Sequence, residues 1–388
     1  MDFAPTPEQE AIREAIAGIC ARFDDAWWHA QDEAGEFPHA FHRAIAEAGF
    51  LGICIPEEYG GSGLGITEAA VMMEAISSSG AGMSGASAVH MNIFGLNPVV
   101  VFGNAAQKRR FLPPLVRGEE KACFGVTEPT TGLDTTRLKT RAVKRGDRWV
   151  VDGQKVWIST AQVADRILLL ARTRPIEETP RPADGLSLFY TKLDRTRCSV
   201  RAIPKMGRHA VDSNEIFFEG YEIPEEDLIG QEGEGFRQIL HGLNPERVLL
   251  ASEAVGLGRA ALRRAAAYAK ERVVFGRPVG QNQAVQHPLA EDWMALEAAW
   301  LMTLNAAWRY DRGLDCGAQA NAAKFLAGEA GLKACQDAVM THGGFGYARE
   351  YHVERYLREA MIPWITPVSP NMIRSFIAEK VLGMPKSY

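Results

Sequence analysis

Two groups of residues in this chain have the types and spacing to do chemistry. One is Leu243-Asn244-Pro245-Glu246-Arg247, where a carboxylate follows a good helix cap and a proline suited to a first helical position. That order predicts a helix start, or a sharp kink, just before Glu246. Glu246 could act as a proton acceptor. A glutamate in a first turn also stabilises the helix by ~0.3–1 kcal/mol, and on local sequence alone that plainer role is the stronger reading. The other group is the stretch Ala122 to Thr160. One end carries Phe124-Gly125-Val126-Thr127 and the other Trp157-Ile158-Ser159. A tryptophan flanked by hydroxyl-bearing residues can cover a flat ring and bond its edges, although a core tryptophan at a strand end is commoner. His90 and His342 could line a cleft, but a satisfied structural histidine is the better reading for each.

The elements around these residues read as helix, then strand, then helix. Pro7 and Glu8 follow a Thr6 cap, and Ile12, Ile16, Ile19 and Phe23 recur at helical spacing. A second helix runs from about Ala40 to Ala48. Residues 55–63 are crowded with Gly and Pro and form a loop. Helical patterns return at Thr67–Ile76, across the small residues Gly80–Ala88, and at Gln107–Val116. After Gly118 the period changes to two. Arg148–Val151, an Asp152-Gly153 turn and Lys155–Ile158 predict a hairpin. Further short strands are expected at Ile167–Ala171, Gly185–Thr191, Cys198–Ile203 and Glu215–Phe218, with residues 172–184 as a surface loop. Helix resumes near Gly235 and continues over Leu249–Arg272, His287–Arg309 and Ala318–Val339 until Gly343-Gly344-Phe345-Gly346 breaks it. The expected fold is α+β: an N-terminal α-helical domain (1–118), a middle β-barrel-like domain (119–228) and a C-terminal α-helical bundle (229–388).

Composition narrows the function. The 388 residues suffice for two or three domains, and a net charge of −5 with no basic stripe argues against nucleic acid as a partner. The six cysteines are scattered with no C-x-x-C pair, which suits free thiols in a reducing compartment. No apolar run is long enough for a membrane span, and the first residues turn acidic and helical at once, so a cytoplasmic location is expected. There is no G-x-G-x-x-G unit, P-loop, H-E-x-x-H or G-x-S-x-G, which sets aside Rossmann and P-loop nucleotide sites, zinc and a serine nucleophile elbow.

Over nearly its whole length the chain resembles the acyl-CoA dehydrogenase family. The resemblance rests on Thr127-Glu128-Pro129 with Gly132 and Asp134, Lys155-Val156-Trp157-Ile158-Ser159, Lys205-Met206-Gly207, Arg272-Val273-Val274-Phe275-Gly276-Arg277-Pro278 with Gln283, and Gly343-Gly344-Phe345-Gly346. Each motif alone is weak; their order within an α–β–α chain is specific. The resemblance implies FAD as cofactor, an acyl-CoA thioester as substrate, a role in fatty acid metabolism, an electron-transfer flavoprotein as acceptor, and a homotetramer or homodimer. It places Phe124, Val126, Thr127, Trp157 and Ser159 at the flavin ring. It places Arg272, Phe275, Gln283, Gly343 and Gly344 at the rest of the FAD, reaching across from a second subunit, and Ser369 and Asn371 at FAD after the base loop. Met340 stands where many relatives carry a cofactor-binding glutamine. Leu133 stands where many carry a serine that touches substrate and flavin.

Members of the family remove the acyl α-proton with a glutamate. In many of them it lies in a C-terminal loop that corresponds here to Thr366-Pro367-Val368-Ser369, so Pro367 occupies the base position. A branch that includes isovaleryl-CoA and long-chain enzymes places the base in a Leu-x-x-Glu-Arg motif. This makes Glu246 the candidate base, with Asn244 and Arg247 beside the substrate. Proline has no N–H. A backbone donor to the thioester oxygen is therefore absent at Pro367, a loss that can cost ~2.7–4 kcal/mol of barrier unless another group compensates. The expectation is compensation with turnover retained. The alternatives are a flavoenzyme of altered chemistry (oxidase, desulfinase or monooxygenase) and a non-catalytic acyl-CoA-binding protein.

Overall fold

The computed structural model describes residues 3–93 and 95–387, apart from the side chain of Asn92. Helix α1 (Pro7–Cys20) starts at a capping box in which Thr6 Oγ1 accepts from the Gln9 backbone and Gln9 Oε1 accepts from the Thr6 N–H. Its apolar spacing buries Ile12, Ile16 and Cys20. Then come α2 (Asp25–Ala34), α3 (His39–Glu47), α4 (Ile66–Ile76), α5 (Gly82–Ile93), α6 (Asn97–Phe102) and α7 (Ala105–Val116). The sequence reading anticipated neither α2 nor α6. The first is capped by Asp24 and closed by Gly35 in the left-handed region, and its apolar face is little more than Trp28. The second has only six residues, too short for a period to show.

The middle of the chain supplies β1 (Ala122–Gly125), β2 (Arg141–Arg145), β3 (Arg148–Ser159), β4 (Arg166–Arg172), β5 (Leu186–Lys192), β6 (Ser199–Ala202), β7 (Ser213–Pro224) and β8 (Leu228–Ile229). The strand order is β6-β7-β3-β2-β4-β5-β8, with β1 parallel to β4. The expected hairpin turn at Asp152-Gly153 is not there. Residues 148–159 form one strand that pairs with β2 on one side and β7 on the other. The turn is at Gly146-Asp147, where Gly146 has φ 62°. Asp152-Gly153 instead marks a register shift against β7. A Cβ on Gly153 would lie 2.5 Å from Thr140 Oγ1, so close strand approach, and not a reversal, requires glycine there.

The last part is helical: α8 (Gly235–Glu271), a small ladder of β9 (Val273–Val274) and β10 (Arg277–Pro278), then α9 (Gln283–Asp311), α10 (Gly317–His342), α11 (Val353–Ile365) and α12 (Pro370–Phe376). The expected helix start at Asn244-Pro245 is overturned, because α8 begins at Gly235 and continues through Pro245. Packing outweighs the lost hydrogen bond, since both Pro245 and the following Val248–Leu250 are buried.

N-terminal and C-terminal helices share one core, in which Ile16, Trp28, Phe41 and Ile76 meet Val255, Trp300 and Ala323. Asp311 at the end of α9 caps α4 across this junction, accepting from Ile66 N at 2.7 Å and Thr67 N at 2.9 Å. The sheet has its own core of Trp149, Val151, Ile167, Phe189 and Phe218. Its other face packs Leu170, Leu188 and Tyr190 against Phe111 and Leu115 of α7. The six cysteines are free, no described helix is long and apolar enough to cross a membrane, and no cluster of metal-ligating side chains is found among the described residues.

Lys155 ties the β1 end to β3 from a fully buried position. Its Nζ donates to Glu128 Oε1 at 2.9 Å and to Val126 O at 3.0 Å. Replacing it (Lys155→Met) strands the Glu128 carboxylate and should cost roughly 3–5 kcal/mol in urea unfolding. The double variant Glu128→Gln/Lys155→Met should recover part of that loss.

Candidate active site

The two ends of the 122–160 stretch are neighbours in space. Glu128 accepts from Lys139 N (2.6 Å), Thr140 N (2.9 Å) and Lys155, and Val156 N donates to Thr127 O at 2.9 Å. Burial alone would raise the Glu128 carboxyl, but Lys155 and the backbone donors hold it below its ordinary value. Burial takes the Lys155 ammonium down to about 8, against the pull of Glu128. Glu128 and Lys155 therefore act as a clasp that sets Thr127 beside Trp157.

Trp157 does not sit in the core. A second register shift in β3 lies between Lys155 and Ile158, and Trp157 has φ 63°. Such bulges re-aim a side chain. The indole is 59% exposed at a place where both flanking residues point inward, which leaves a flat aromatic face open. Phe124, Val126, Thr127 and Ser159 are half-buried around it. Ser159 Oγ accepts from Arg208 Nη2 at 2.9 Å, so its own hydroxyl hydrogen is free to be donated. An open indole face and oriented hydroxyls on one strand end fit a planar ring with polar edges. Leu133, by contrast, is 54% exposed on the loop after Glu128.

Glu246 is half-buried in mid-α8. Burial is the main cause that pushes its carboxyl up to about 7, and the Glu253 carboxylate adds to it; His90, Arg247 and Lys324 pull the other way. Arg247 donates to Asn244 Oδ1 at 3.0 Å, so these two flank Glu246 as a bonded pair. Lys324 on α10 was not anticipated from the sequence. It is 1% exposed and donates to Trp364 O (2.8 Å) and Val368 O (2.9 Å), so it clamps the Thr366–Val368 loop that carries Pro367. A lysine within an alanine-rich helix gave no signal of that role. A cavity of about 280 Å³ is lined by Asn244, Arg247, Asn321 and Val368 and brings that loop against α8. Ser369 caps α12 through Met372 N (3.3 Å), and Asn371 is exposed.

Arg272, Gly343 and Gly344 gather elsewhere. They line a cavity of about 410 Å³ with Tyr268, His342 and Phe345, and the Arg272 guanidinium lies 5.3 Å from the Phe345 ring centre. His342 stacks on Tyr268 at 4.2 Å and bonds Ala338 O, so it is a structural wall of this cavity. Phe275 is fully exposed at the tip of the β9–β10 ladder with φ 53°, Gln283 begins α9 in an exposed position, and Met340 is 77% exposed. Glu246 and Arg272 lie on one helix, 26 residues apart, or roughly 39 Å. The structure thus presents an open Trp157–Ser159 strand end, a half-buried Glu246 on α8 and, at the far end of that helix, an Arg272 cavity. His90 also proves structural in part: its Nδ1 meets Glu253 at 2.5 Å.

Comparison with known proteins gives this arrangement its family. The N-terminal, middle and C-terminal domain models of acyl-CoA dehydrogenases match residues 6–119, 123–221 and 233–382. An acyl-CoA dehydrogenase of Bacillus subtilis is 33% identical over 379 residues, covering 97% of this chain and 99% of that protein. A 3-(aryl)acrylate reductase of Clostridium sporogenes is 30% identical over 378 residues, covering 97% and 99%. The solved structure of butyryl-CoA dehydrogenase from Megasphaera elsdenii superposes with a TM-score of 0.93 at 28% identity, covering 98% of this chain and 100% of that one. With three domain models in order and full-length relatives at this identity, the chain belongs to the acyl-CoA dehydrogenase family of flavoenzymes.

Proposed function

We propose that this protein is an FAD-dependent acyl-CoA dehydrogenase in which Glu246 removes the α-proton of the thioester. The observation that carries this reading is the raised carboxyl of Glu246, half-buried on α8 among the charges of His90, Arg247, Glu253 and Lys324. A base poised near 7 can take a proton from a weak carbon acid and still be mostly ionised in mildly alkaline solution. Bound FAD would supply the acceptor for the β-hydride. The chain's own contribution is to cover that ring with Trp157, to bond its edge with Ser159 and Thr127, and to exclude water with the α8 and α10 walls. Phe124 and Val126 complete the ring site, and Asn244, Arg247 and Leu133 border the thioester. Lys324 fixes the loop at which Pro367 withholds a backbone donor, so the thioester oxygen must be held by another donor.

Arg272, Phe275, Gln283, Gly343 and Gly344 are too far along α8 from the Glu246 end for one FAD to reach both. Their separation supports a homotetramer or homodimer in which they bind the cofactor of a second copy. A stripe of exposed apolar residues on α9 (Met294, Leu301, Trp308) and the bare Phe275 are further support, because a lone chain rarely exposes such a run. Ser369 and Asn371 stand at the start of α12, beside the same loop. An electron-transfer flavoprotein would then re-oxidise the flavin, and free cysteines suit the cytoplasm.

Four outcomes test the reading. Glu246→Gln should bind acyl-CoA but lose flavin bleaching under anaerobic titration by at least a hundredfold in rate; normal bleaching would sink the base assignment. In the native protein kcat/KM should fall as pH drops through about 7, because the carboxylate is the active form. Since the folded Glu246 carboxyl is raised, its burial costs stability above the folded value and nothing below the unfolded one. Glu246→Gln should therefore be more stable than the native chain above pH 7, by roughly 1–3 kcal/mol in urea unfolding, and equal to it near pH 4. Arg272→Ala should retain less FAD on gel filtration and shift the assembly toward smaller species, with no change in the fold by circular dichroism.

A further inference from the structure

A buried polar cluster lies between Glu246 and the Ser159 end of β3, and two of its hydrogen-bonding atoms are left without a partner. Glu253 stands two helical turns after Glu246, so both project from nearly the same side of α8. Its Oε1 meets His90, while its Oε2 is buried with no hydrogen-bond partner. Ser87, one turn before His90 on α5, accepts from Arg208 Nη1 at 3.2 Å. Arg208 Nη2 reaches Ser159 at 2.9 Å and Ser213 at 3.2 Å. Arg208 is 8% exposed, has φ 56°, and its Nε is buried with no partner. The charges act on one another: Glu253 on Arg208, and Arg208 and Glu246 on His90. The cluster therefore joins the base to the hydroxyl assigned to the flavin edge.

This inference rests on that assignment of Glu246 and Ser159. The α-carbon must approach Glu246 and the β-carbon the ring beside Ser159, so the remainder of the acyl group extends toward α5 and Arg208. There it meets one unpaired acceptor, Glu253 Oε2, and one unpaired donor, Arg208 Nε. We propose that Glu253 and Arg208 form a polar acyl subsite, and that the substrate's acyl group carries a neutral group, such as a hydroxyl, that both donates and accepts a hydrogen bond. A plain alkyl chain would cover both buried charges and satisfy neither. An anionic acyl group would meet the Glu253 carboxylate, and Arg208 already faces Glu253, Glu359 and Asp212. A cationic group would meet Arg208 itself.

The test uses FAD-loaded protein and short ω-hydroxyacyl-CoAs, each against its alkyl parent and the dicarboxylic analogue of the same length. Binding is read by calorimetry and reduction by anaerobic flavin absorbance. At the best length the hydroxyacyl-CoA should lead both others by roughly tenfold or more in Kd and in kcat/KM, since one buried polar pair is at stake. Glu253→Leu should erase that lead in Kd. If Glu253→Leu does not fold, Glu253→Gln keeps the shape and should reduce the lead. Preference for the alkyl or dicarboxylic thioester at every length, or a lead untouched in either Glu253 variant, overturns the proposal. The ranking in calorimetry should survive Glu246→Gln, so a failure of the base assignment shows as lost bleaching with the binding order intact.

Discussion

The buried bond between Lys155 and Glu128 is the constraint on which the site depends. It is made between a strand and the loop after another strand, and each partner is almost wholly removed from water. An ion pair in that position contributes little net stability, because both charges are desolvated, but breaking it leaves a charge with no counterpart. Its geometric consequence is larger. Lys155 also takes the Val126 carbonyl, and Glu128 takes two backbone amides from the approach to β2. Three segments are pinned at one point. Immediately beyond it the β3 ladder slips and turns Trp157 outward. A polar clasp at the start of a bulge thus converts a strand end, which would otherwise bury its tryptophan, into an open aromatic platform.

Helix α8 plays the corresponding part on the other side. It carries Glu246, Glu253 and, at its far end, Arg272 on one rigid rod, and it tolerates Pro245 because the turns that follow are locked in two cores. Glu246 is half-buried on that rod, and burial raises its carboxyl while Lys324 and His90 limit the shift. Lys324 links the rod to the Pro367 loop through two carbonyls. Pro367 gives that loop neither a side-chain carboxylate nor a backbone N–H, whereas α8 carries the Glu246 carboxylate. The elements that carry the proposed base and cofactor residues are held relative to one another by helix packing and the Asp311 cap across the helical core.

Much of this was legible before the fold was known. The α–β–α order, the helix starts at Thr6 and Gly235, and the free thiols follow from period, caps and spacing. The motifs named the family, and with it the roles of Trp157, Ser159, Glu246 and Arg272 as expectations. The reading failed where local signals compete with pairing. Asp152-Gly153 has the composition of a hairpin turn, yet two neighbouring strands hold it extended and the reversal falls at Gly146-Asp147. Asn244-Pro245 has the composition of a helix start, yet buried flanking turns carry the helix through it.

The sequence by itself determined the family, the order of elements and which residues are chemically able to act, because periodicity and motif spacing are properties of neighbouring positions along the chain. Only the tertiary structure decided that Trp157 faces outward, that Lys324 holds the Pro367 loop, and that Arg208, Ser87, His90 and Glu253 meet. Those facts depend on contacts between residues far apart in the chain, where burial and unpaired hydrogen-bonding atoms exist only once the helices and sheet have packed. The physical reason is that a side chain's protonation and partners are set by what surrounds it in space, and no stretch of sequence carries that information alone.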